Sequence, residues 1–500
     1  MSHWLVLPIL LPLTAGMLNL LLAKRAPGVQ RAVSLCATAG LLPLAIRLLA
    51  LAAGGEYSVY QLGNWPAPFG IVLVLDRLSA LLLLLTALVA LLALLYALNG
   101  DDRRGHDFHI LFQLQLLGIN GAFLTGDLFN LFVFFEILLI ASYSLALHGS
   151  GPERTRAGLH YVVLNLLGSS LFLIAVGTLY AITGTLNMAD LAVKIAAAAP
   201  EQATLLRVSA LLLLVVFGLK AALLPLHLWL PAVYGSATAP VAALFAIMTK
   251  VGIYAIVRTS TLIFPAAGPN PVQSFTWLPA LALLTLAVGA VGSLGSDRLR
   301  VLIAYLVVVS SGTLLAGIAR FNVAGITAAL YYLPHTTLVT AGLFLLADLI
   351  ARQRGVTADQ FSPAPPLAQP ARLGVLFFLG AVAAAGLPPL SGFLGKLLLL
   401  QSVSPGEAFW LWTVVLAGSW TGLIALSRAG SRIFWKTEGA GAAGAPADLP
   451  RLAPVVLLLG LSVAMTLFAA PITRYAEAAA SQLLQPRAYI TAVLESEGSP

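Results

Sequence analysis

Residues 215–231 read VVFGLKAALLPLHLWLP and place Lys220 inside a stretch whose other residues suit the hydrocarbon core of a bilayer. A charged side chain at bilayer depth costs about 2.5 kcal/mol or more, so it is normally kept for a function and held by a partner. Pro225 follows shortly after the lysine, where it interrupts the hydrogen bonds of a helix. The stretch therefore predicts a broken transmembrane helix around a buried cation.

The composition of the whole chain is that of an integral membrane protein. Of its 500 residues, 60% are hydrophobic and only 9% are charged, and the mean hydropathy is +0.96. The single cysteine, Cys36, excludes a disulfide framework and a cysteine-ligated zinc or iron–sulfur site within the chain. The sequence has no Walker phosphate-binding loop. We therefore expect neither ATP hydrolysis nor a resident cofactor.

Apolar segments long enough to cross a bilayer, which takes about 20 residues, occur fourteen times along the chain. The predicted spans lie near 3–23, 30–53, 74–98, 109–125, 127–148, 158–184, 205–231, 237–261, 274–294, 300–319, 323–350, 371–401, 408–431 and 452–472. The first lacks the basic start of a signal peptide, so we expect it to be retained. The predicted fold is an all-α polytopic membrane protein with about 14 transmembrane helices.

The distribution of basic residues predicts the orientation of these spans. Sixteen of the 27 Lys and Arg residues flank span ends on one side of the membrane, and eight flank the other. Because the side richer in Lys and Arg faces the cytoplasm, both termini are expected outside it. The remaining three basic residues, Lys220, Lys250 and Lys396, lie inside spans.

These interior cations are all lysines, whereas we expect every arginine in a loop or near a span end. A desolvated ammonium can release its proton, but a guanidinium stays charged. Among the 19 acidic residues, Glu136 alone lies deep within a predicted span, and we expect Asp127 and Asp348 to anchor span ends. Interior lysines with one deep carboxylate indicate proton transfer.

Spans seven and twelve share a pattern, because each places a lysine beside helix breakers: Lys220 near Pro225, and Lys396 after the GLPP run at 386–389. The two spans are five apart, so equivalent positions have opposite topology. This predicts two inverted five-helix repeats, spans four to eight and nine to thirteen. The predicted divisions are helices 1–3 at 1–108, a first repeat at 109–261, a second repeat at 274–435, a flexible cytoplasmic linker at 436–451, and helix 14 with a tail at 452–500.

Three stretches resemble a known family. They are GLKAALLPLHLWLPAVYGSATAPVAALFAIMTKVGIYAIVR at 218–258, FFEILLIASYSL at 134–145 and GLPPLSGFLGK at 386–396. They resemble the antiporter-like family shared by respiratory complex I, membrane-bound hydrogenases and multisubunit Mrp (also called Mnh or Pha) cation/proton antiporters. The resemblance covers nearly the whole chain. Its length, its spans and the terminal QLLQPRAYITAVL at 482–494 are most similar to the D-type subunits of the Mrp antiporters.

The resemblance implies roles for residues at matching positions. Glu136 matches the glutamate of the fifth helix, Lys220 the seventh-helix lysine that pairs with it as a gate, and Lys250 the lysine of the eighth helix. Lys396 matches the lysine or acid of a second half-channel, and His335 the histidine that links the two halves. From the residues alone, the first pair could instead be a structural ion pair, and the other lysines could cap broken helices or bind lipid head groups.

Two histidine positions complete the predicted site. His227, beside Pro225, is a further candidate for the proton path, with the alternative that it only satisfies carbonyl groups freed by the break. The largest relatives often carry a lysine five residues after the linking histidine, where this chain has Thr340. We therefore expect His335 and ordered water to connect the halves.

The resemblance implies a proton-translocating subunit of a multisubunit Na⁺ (or K⁺)/H⁺ antiporter, a secondary active transporter that exports a monovalent cation and takes up protons in pH homeostasis. It implies a prokaryotic inner membrane as the location. The expected partners are the other subunits of the complex, protons, monovalent cations and lipid, but not nucleic acid. No metal site is assigned, because hard cations bind several oxygen ligands and the predicted interior is rich in nitrogen bases. A proton-pumping subunit of complex I or a hydrogenase, and a non-conducting structural subunit, remain alternatives.

Overall fold

The computed structural model describes residues 3–22, 27–264, 277–439 and 444–495, except for the side chain of Glu407. The predicted loop anchors Lys24 and Arg25, the central part of the predicted linker and the last five residues of the tail lie outside these ranges. Within them the chain is predominantly helical, so the predicted fold class is confirmed.

The N-terminal part combines three long helices with a β-hairpin that was not predicted. The helices are α1 (Leu7–Leu21), α2 (Pro27–Ala53) and α3 (Arg77–Ala97). Strands β1 (Ser58–Gln61) and β2 (Val72–Leu75) pair antiparallel, with Ser58 opposite Leu75. The hairpin lies between α2 and α3, so it belongs to a connection between two spans.

The next helices carry the first group of predicted site residues. They are α4 (Phe108–Leu124), α5 (Leu128–Leu147), α6 (Pro152–Thr183), α7 (Met188–Ala196), α8 (Ala203–Lys220), α9 (Trp229–Ser236), α10 (Ala239–Phe245) and α11 (Met248–Arg258). The predicted break in span seven is confirmed, because α8 ends at Lys220 and α9 begins at Trp229. A second break between α10 and α11 was not predicted, since no Gly or Pro marks it.

The second group begins after residue 276. Its helices are α12 (Leu278–Gly295), α13 (Leu299–Ile318), α14 (Val323–Arg354), α15 (Pro370–Ala385), α16 (Ser391–Gln401), α17 (Pro405–Gly430), α18 (Leu449–Leu467), α19 (Ala469–Leu483) and α20 (Pro486–Leu494). The predicted break in span twelve is confirmed between α15 and α16. Short 3₁₀ turns and π-helical ends complete the secondary structure, at His3–Leu5, Leu62–Asn64, Asp101–Arg103, Pro200–Gln202, Gly355–Thr357, Thr259–Ile263 and Ser431–Trp435.

Eleven helices in the described ranges are long and apolar enough to cross a membrane, by length and composition. Three shorter apolar helices, α1, α4 and α15, coincide with further predicted spans. The chain is thus a multi-pass membrane protein. The count of fourteen spans, the inverted repeats and the residue boundaries of the divisions stay predictions.

Two segments lie at the centre of the bundle, and both are enclosed by other helices. The most apolar 18 residues of 239–263 and of α14 are all buried. α14 packs against α3, α10, α13, α15, α16, α18 and α19, and α9 packs against α13. Polar groups on these segments contact protein rather than lipid, which is the setting that intramembrane ionisable residues require.

Candidate proton path

Glu136 on α5 and Lys220 on α8 are linked through α6. The Nζ of Lys220 donates a hydrogen bond to Oδ1 of Asn165 at 2.7 Å. One helical turn further along α6, the hydroxyl of Ser169 donates to Oε1 of Glu136. Both ends of the predicted pair thus have a neutral partner on α6, and these described side chains form no direct ion pair with each other. The direct Glu136–Lys220 contact stays a prediction.

Local and tertiary hydrogen bonds satisfy backbone groups at the break after Lys220. The backbone N–H of Leu223 donates to the carbonyl of Gly218 at 2.9 Å, and the indole Nε1 of Trp229 donates to the carbonyl of Leu219 at 3.1 Å. These bonds satisfy carbonyl groups at the end of α8. Because the C-terminal end of a helix carries partial negative charge, it stabilises the ammonium group that terminates α8.

Lys250 is held near the same helix end on α11. It is fully buried, and its Nζ donates to the hydroxyls of Thr249 at 3.2 Å and of Ser310 on α13 at 3.4 Å. Gly252 makes this approach of α11 to α8 feasible, since a Cβ at that position would lie 2.6 Å from the backbone N of Ala221. The lack of a side chain at Gly252 therefore brings Lys250 beside the end of α8.

His335 on α14 and Lys396 on α16 meet at the break in span twelve. The Nδ1 of His335 shares a 2.8 Å hydrogen bond with the hydroxyl of Ser391, the first residue of α16. The Nζ of Lys396 donates to the carbonyl of Ala385 and to the hydroxyl of Ser419, each at 2.8 Å. The carbonyl belongs to the last residue of α15, so Lys396 also caps that half-helix, as one sequence-based alternative proposed.

Side chains with hydroxyl groups lie near His335 on α13 and α14. The phenol of Tyr332 on α14 lies near the side chains of Thr313 on α13 and Thr336. Its ring packs against His335, with the ring centroids 5.4 Å apart. Thr340 donates to the carbonyl of Thr336 in its own helix at 2.7 Å. The hydroxyl of Thr340 is therefore directed to the backbone of its own helix.

The arrangement is a row of buried bases on neighbouring helices, each bonded to neutral oxygen atoms. Comparison with known families matches residues 125–422 to the family described as "NADH:quinone oxidoreductase/Mrp antiporter, TM". The match covers more than half of the chain and includes all the predicted site residues. The chain belongs to this family.

Individual relatives of this antiporter-family chain extend the match over almost its full length. The D-type subunit of a probable K⁺/H⁺ antiporter from Rhizobium meliloti (strain 1021) is 44% identical, covering 99% of this chain and 98% of that protein. The D-type subunit of an Na⁺/H⁺ antiporter from Alkalihalophilus pseudofirmus (strain ATCC BAA-2126 / JCM 17055 / OF4) is 38% identical over 99% of this chain and 100% of the relative. One chain in the structure of the Mrp complex from Dietzia sp. DQ12-45-1b has a TM-score of 0.89 at 28% identity, covering 99% and 100%.

His227 stands apart from the other candidates in this family member. It is buried in the break between α8 and α9, at 4% exposure, and its Nδ1 has no hydrogen-bond partner among the described residues. Through this atom it satisfies none of the freed carbonyls. Its place in a proton path stays a prediction.

Two predictions concern residues at span ends. Asp127 is the N-cap of α5, where its side chain accepts from the backbone N–H of Asn130 at 2.8 Å and burial raises the pKa of its carboxyl to about 6. Asp348 accepts from Tyr96 at 2.7 Å and from Arg300 at 2.8 Å. Both carboxylates therefore fix helices in place, as expected of anchors.

Two arginines near span ends, Arg258 and Arg354, are buried, although arginines near span ends were expected to reach water. Arg258 is 4% exposed, and its Nη2 donates to Asp76 at 2.6 Å. Its guanidinium lies 5.4 Å from the ring centres of both Tyr254 and Tyr489. The expectation was wrong because a buried carboxylate and two aromatic rings replace water around this cation. The C-terminal helix α20 supplies Tyr489 and is thereby fixed to the bundle.

Proposed function

We propose that this chain is the proton-carrying membrane subunit of a multisubunit antiporter that exchanges Na⁺ or K⁺ for protons. The observation that carries the proposal is the chemistry around three buried lysines. Lys220, Lys250 and Lys396 donate to amide, hydroxyl and backbone carbonyl oxygens. No ion pair within the described ranges involves any of them. Each could release its proton without leaving a carboxylate partner unpaired.

The neutral partners of the three lysines argue against the alternative of a non-conducting structural subunit. A buried salt bridge kept for packing would place a carboxylate on each ammonium, because breaking such a pair costs about 3–5 kcal/mol. Arg258 with Asp76 is such a pair in this chain. The lysines differ from it in having neutral partners, which favours a role in which their charge changes.

In the proposed mechanism, Glu136 and Lys220 form a gate. When they are in contact, the carboxylate stabilises the protonated lysine; when they separate, Asn165 is the partner of the lysine and the proton can move on. The separation of the two side chains across α6 supports assigning this structure to the open gate. The proton then passes along Lys250, His335 and Lys396, with His227 as a further candidate.

The relatives support the rest of the proposal. Two of them are named as D-type subunits of K⁺/H⁺ and Na⁺/H⁺ antiporters, and a solved relative belongs to an Mrp complex. We infer that this chain works with the other subunits of such a complex in a bacterial cell membrane, as a secondary active transporter with both termini outside the cytoplasm. The proposed organisation has helices 1–3 at 1–108, repeats at 109–261 and 274–435, a linker at 436–451 and a C-terminal part at 452–500.

The test uses inverted membrane vesicles from an antiporter-deficient strain that expresses the complete complex. A pre-formed ΔpH is followed with a pH-sensitive dye while Na⁺, and then K⁺, is added. Lys220→Ala is compared with Lys194→Ala, which removes a lysine 43% exposed and paired with Asp190 on α7. Wild type and Lys194→Ala should dissipate ΔpH, and Lys220→Ala should not, at equal complex content.

Two results would reject the proposal. Equal dissipation by Lys220→Ala and wild type would make the lysine, and with it the proposed path, structural. If wild type itself does not respond to either cation, a redox-driven proton pump is favoured, in line with the NADH:quinone oxidoreductase part of the family description.

A further inference from the structure

A second set of buried polar groups lies outside the proposed proton path, on α1 and α4. Within the described ranges, every buried side-chain amide oxygen without a hydrogen-bond partner belongs to these two helices: Asn19, Gln113, Gln115 and Asn120. None of these residues is more than 2% exposed. Carbonyl-type oxygens that are cut off from water require a partner. The helices precede residues 125–422, so the family match does not account for them.

Two of these amides converge on α2. The Nδ2 of Asn19 donates to the hydroxyl of Ser34 at 2.9 Å. The Nε2 of Gln113 donates to the hydroxyl of Thr38 at 2.9 Å and to the backbone carbonyl of Ser34 at 3.3 Å. Both side chains thus use their N–H groups within the protein and leave their oxygens free. Helices α1, α2 and α4 meet around Ser34, where hydrogen-bond acceptors outnumber the available donors.

The packing of α1 on α4 encloses this position. A Cβ built on Gly16 would lie 3.6 Å from Cβ of Gln113, so the two helices are in van der Waals contact one turn from Asn19. Gln115 is excluded from the cluster by helix geometry, because a shift of two residues turns a side chain by about 200° around α4. The cluster consists of Asn19, Ser34, Thr38 and Gln113.

A carboxylate lies close to the cluster along the chain. Asp102 accepts from Arg31 at 2.6 Å and from His109 at 3.2 Å. Arg31 precedes Ser34 by one turn of α2, and His109 precedes Gln113 by one turn of α4. Asp102 therefore marks one end of the contact between α2 and α4, where its charge is balanced by Arg31.

We propose that Asn19, Ser34, Thr38 and Gln113 bind a monovalent metal cation of the Na⁺ or K⁺ class, at a site separate from the lysine path. Amide and hydroxyl oxygens are ligands for hard cations. The four side chains carry no formal charge, whereas protein sites for Ca²⁺ and Mg²⁺ rely on carboxylates. The site would hold the exchanged cation, and in that respect the inference rests on the proposed antiport.

The site can be tested by equilibrium dialysis of the purified complete complex against ²²Na⁺ and ⁸⁶Rb⁺, the latter as a tracer for K⁺. Gln113→Leu removes one ligand oxygen, and Gln115→Leu makes the same change on the other side of α4. We expect an affinity about tenfold weaker for Gln113→Leu and an unchanged affinity for Gln115→Leu. Equal affinity of wild type and Gln113→Leu, or equal weakening by both variants, would overturn the site and leave water as its occupant.

Gln113→Glu provides a second test of the site in case Gln113→Leu prevents assembly of the complex. It keeps the side-chain length and adds a negative charge, so the cation should bind more tightly, and unchanged or weaker binding would refute the site. Lys220→Ala separates this inference from the proposed function. It should bind cation like wild type while failing to dissipate ΔpH. Antiport without cation binding by this cluster overturns the site alone, whereas normal antiport by Lys220→Ala overturns the proton path alone.

Discussion

Two neighbouring serines on α6 provide a sharp test of the proposed gate. The hydroxyl of Ser169 donates to the carboxylate of Glu136, whereas the hydroxyl of Ser170 donates to the carbonyl of Leu166 in its own helix at 3.1 Å. Ser169→Ala and Ser170→Ala remove the same atom from adjacent positions. A difference between the two variants therefore reports on Glu136 rather than on the stability of α6.

The expected magnitude follows from the charge on the acceptor. A hydrogen bond to a charged group contributes about 1.5–3 kcal/mol. Since 1.4 kcal/mol is a factor of ten, Ser169→Ala should reduce the population of the state in which Glu136 is held by α6 about 10- to 100-fold. If every transport cycle passes through this state, the exchange rate should fall about tenfold or more. Ser170→Ala removes a bond to a carbonyl of its own helix and should stay within about twofold of wild type.

The assay is the initial rate at which Na⁺ or K⁺ dissipates ΔpH in inverted vesicles, normalised to the amount of assembled complex. Ser169→Thr restores the hydroxyl and should recover most of the rate. Equal rates for Ser169→Ala and Ser170→Ala would mean that this hydrogen bond plays no part in exchange, and a gate built on Glu136 would lose its structural support.

Three further predictions concern stability, measured as the amount of intact complex that remains after heating. Gly392→Ala should destabilise the complex, because a Cβ there would collide with the carbonyl end of α15. Gly177→Ala has open space around the added Cβ and should be neutral or stabilising. Equal effects of the two variants on stability would contradict this packing. Asp76→Asn keeps the N-cap of α3 but leaves the buried guanidinium of Arg258 unpaired, which should cost about 3–5 kcal/mol of stability. Glu153→Gln removes the carboxylate of an exposed ion pair and should cost less than about 1 kcal/mol. The carboxyl of Asp127 has a pKa raised from 3.8 to about 6. Between these two pH values the folded protein binds more protons than the unfolded chain, so the contribution of this group to stability is lost as the pH rises from about 4 to about 6. Asp127→Asn retains a capping side chain and should be more stable than wild type at pH 8 but not at pH 4; a pH-independent difference would refute this assignment.

The broken helices could be predicted because their signals are local. Pro225 and the GLPP run interrupt apolar segments, and the structure places breaks at both. The break between α10 and α11 has no such signal, and neither glycine nor proline occurs between Phe245 and Met248. It lies in the segment enclosed by other helices, where tertiary packing can override local preference.

The candidate site was predictable only in part, for a related reason. A lysine or glutamate in an apolar segment is conspicuous in the sequence, so Glu136 and Lys220 could be identified. Their partners Asn165 and Ser169 are small polar residues of a kind common in membrane helices, where they bond to neighbouring helices. Which neighbour they reach depends on the rotation of α6 against α5 and α8, which the sequence alone does not specify. Their four-residue spacing is the one signal that could have indicated a shared face.

Two kinds of buried cation occur in the described part of the chain, and they differ in their partners. Arg258 contacts a carboxylate and two aromatic rings, and guanidinium remains charged in any protein environment, so its role is to fix the C-terminal helix to the bundle. Lys250 contacts hydroxyl groups that are neutral whether or not the lysine carries a proton. A carboxylate beside Lys250 would stabilise the charged form and hold the proton in place. The combination of fixed charge at one site and neutral ligands at the other is what a helical bundle needs if it is to stay assembled while protons move through it.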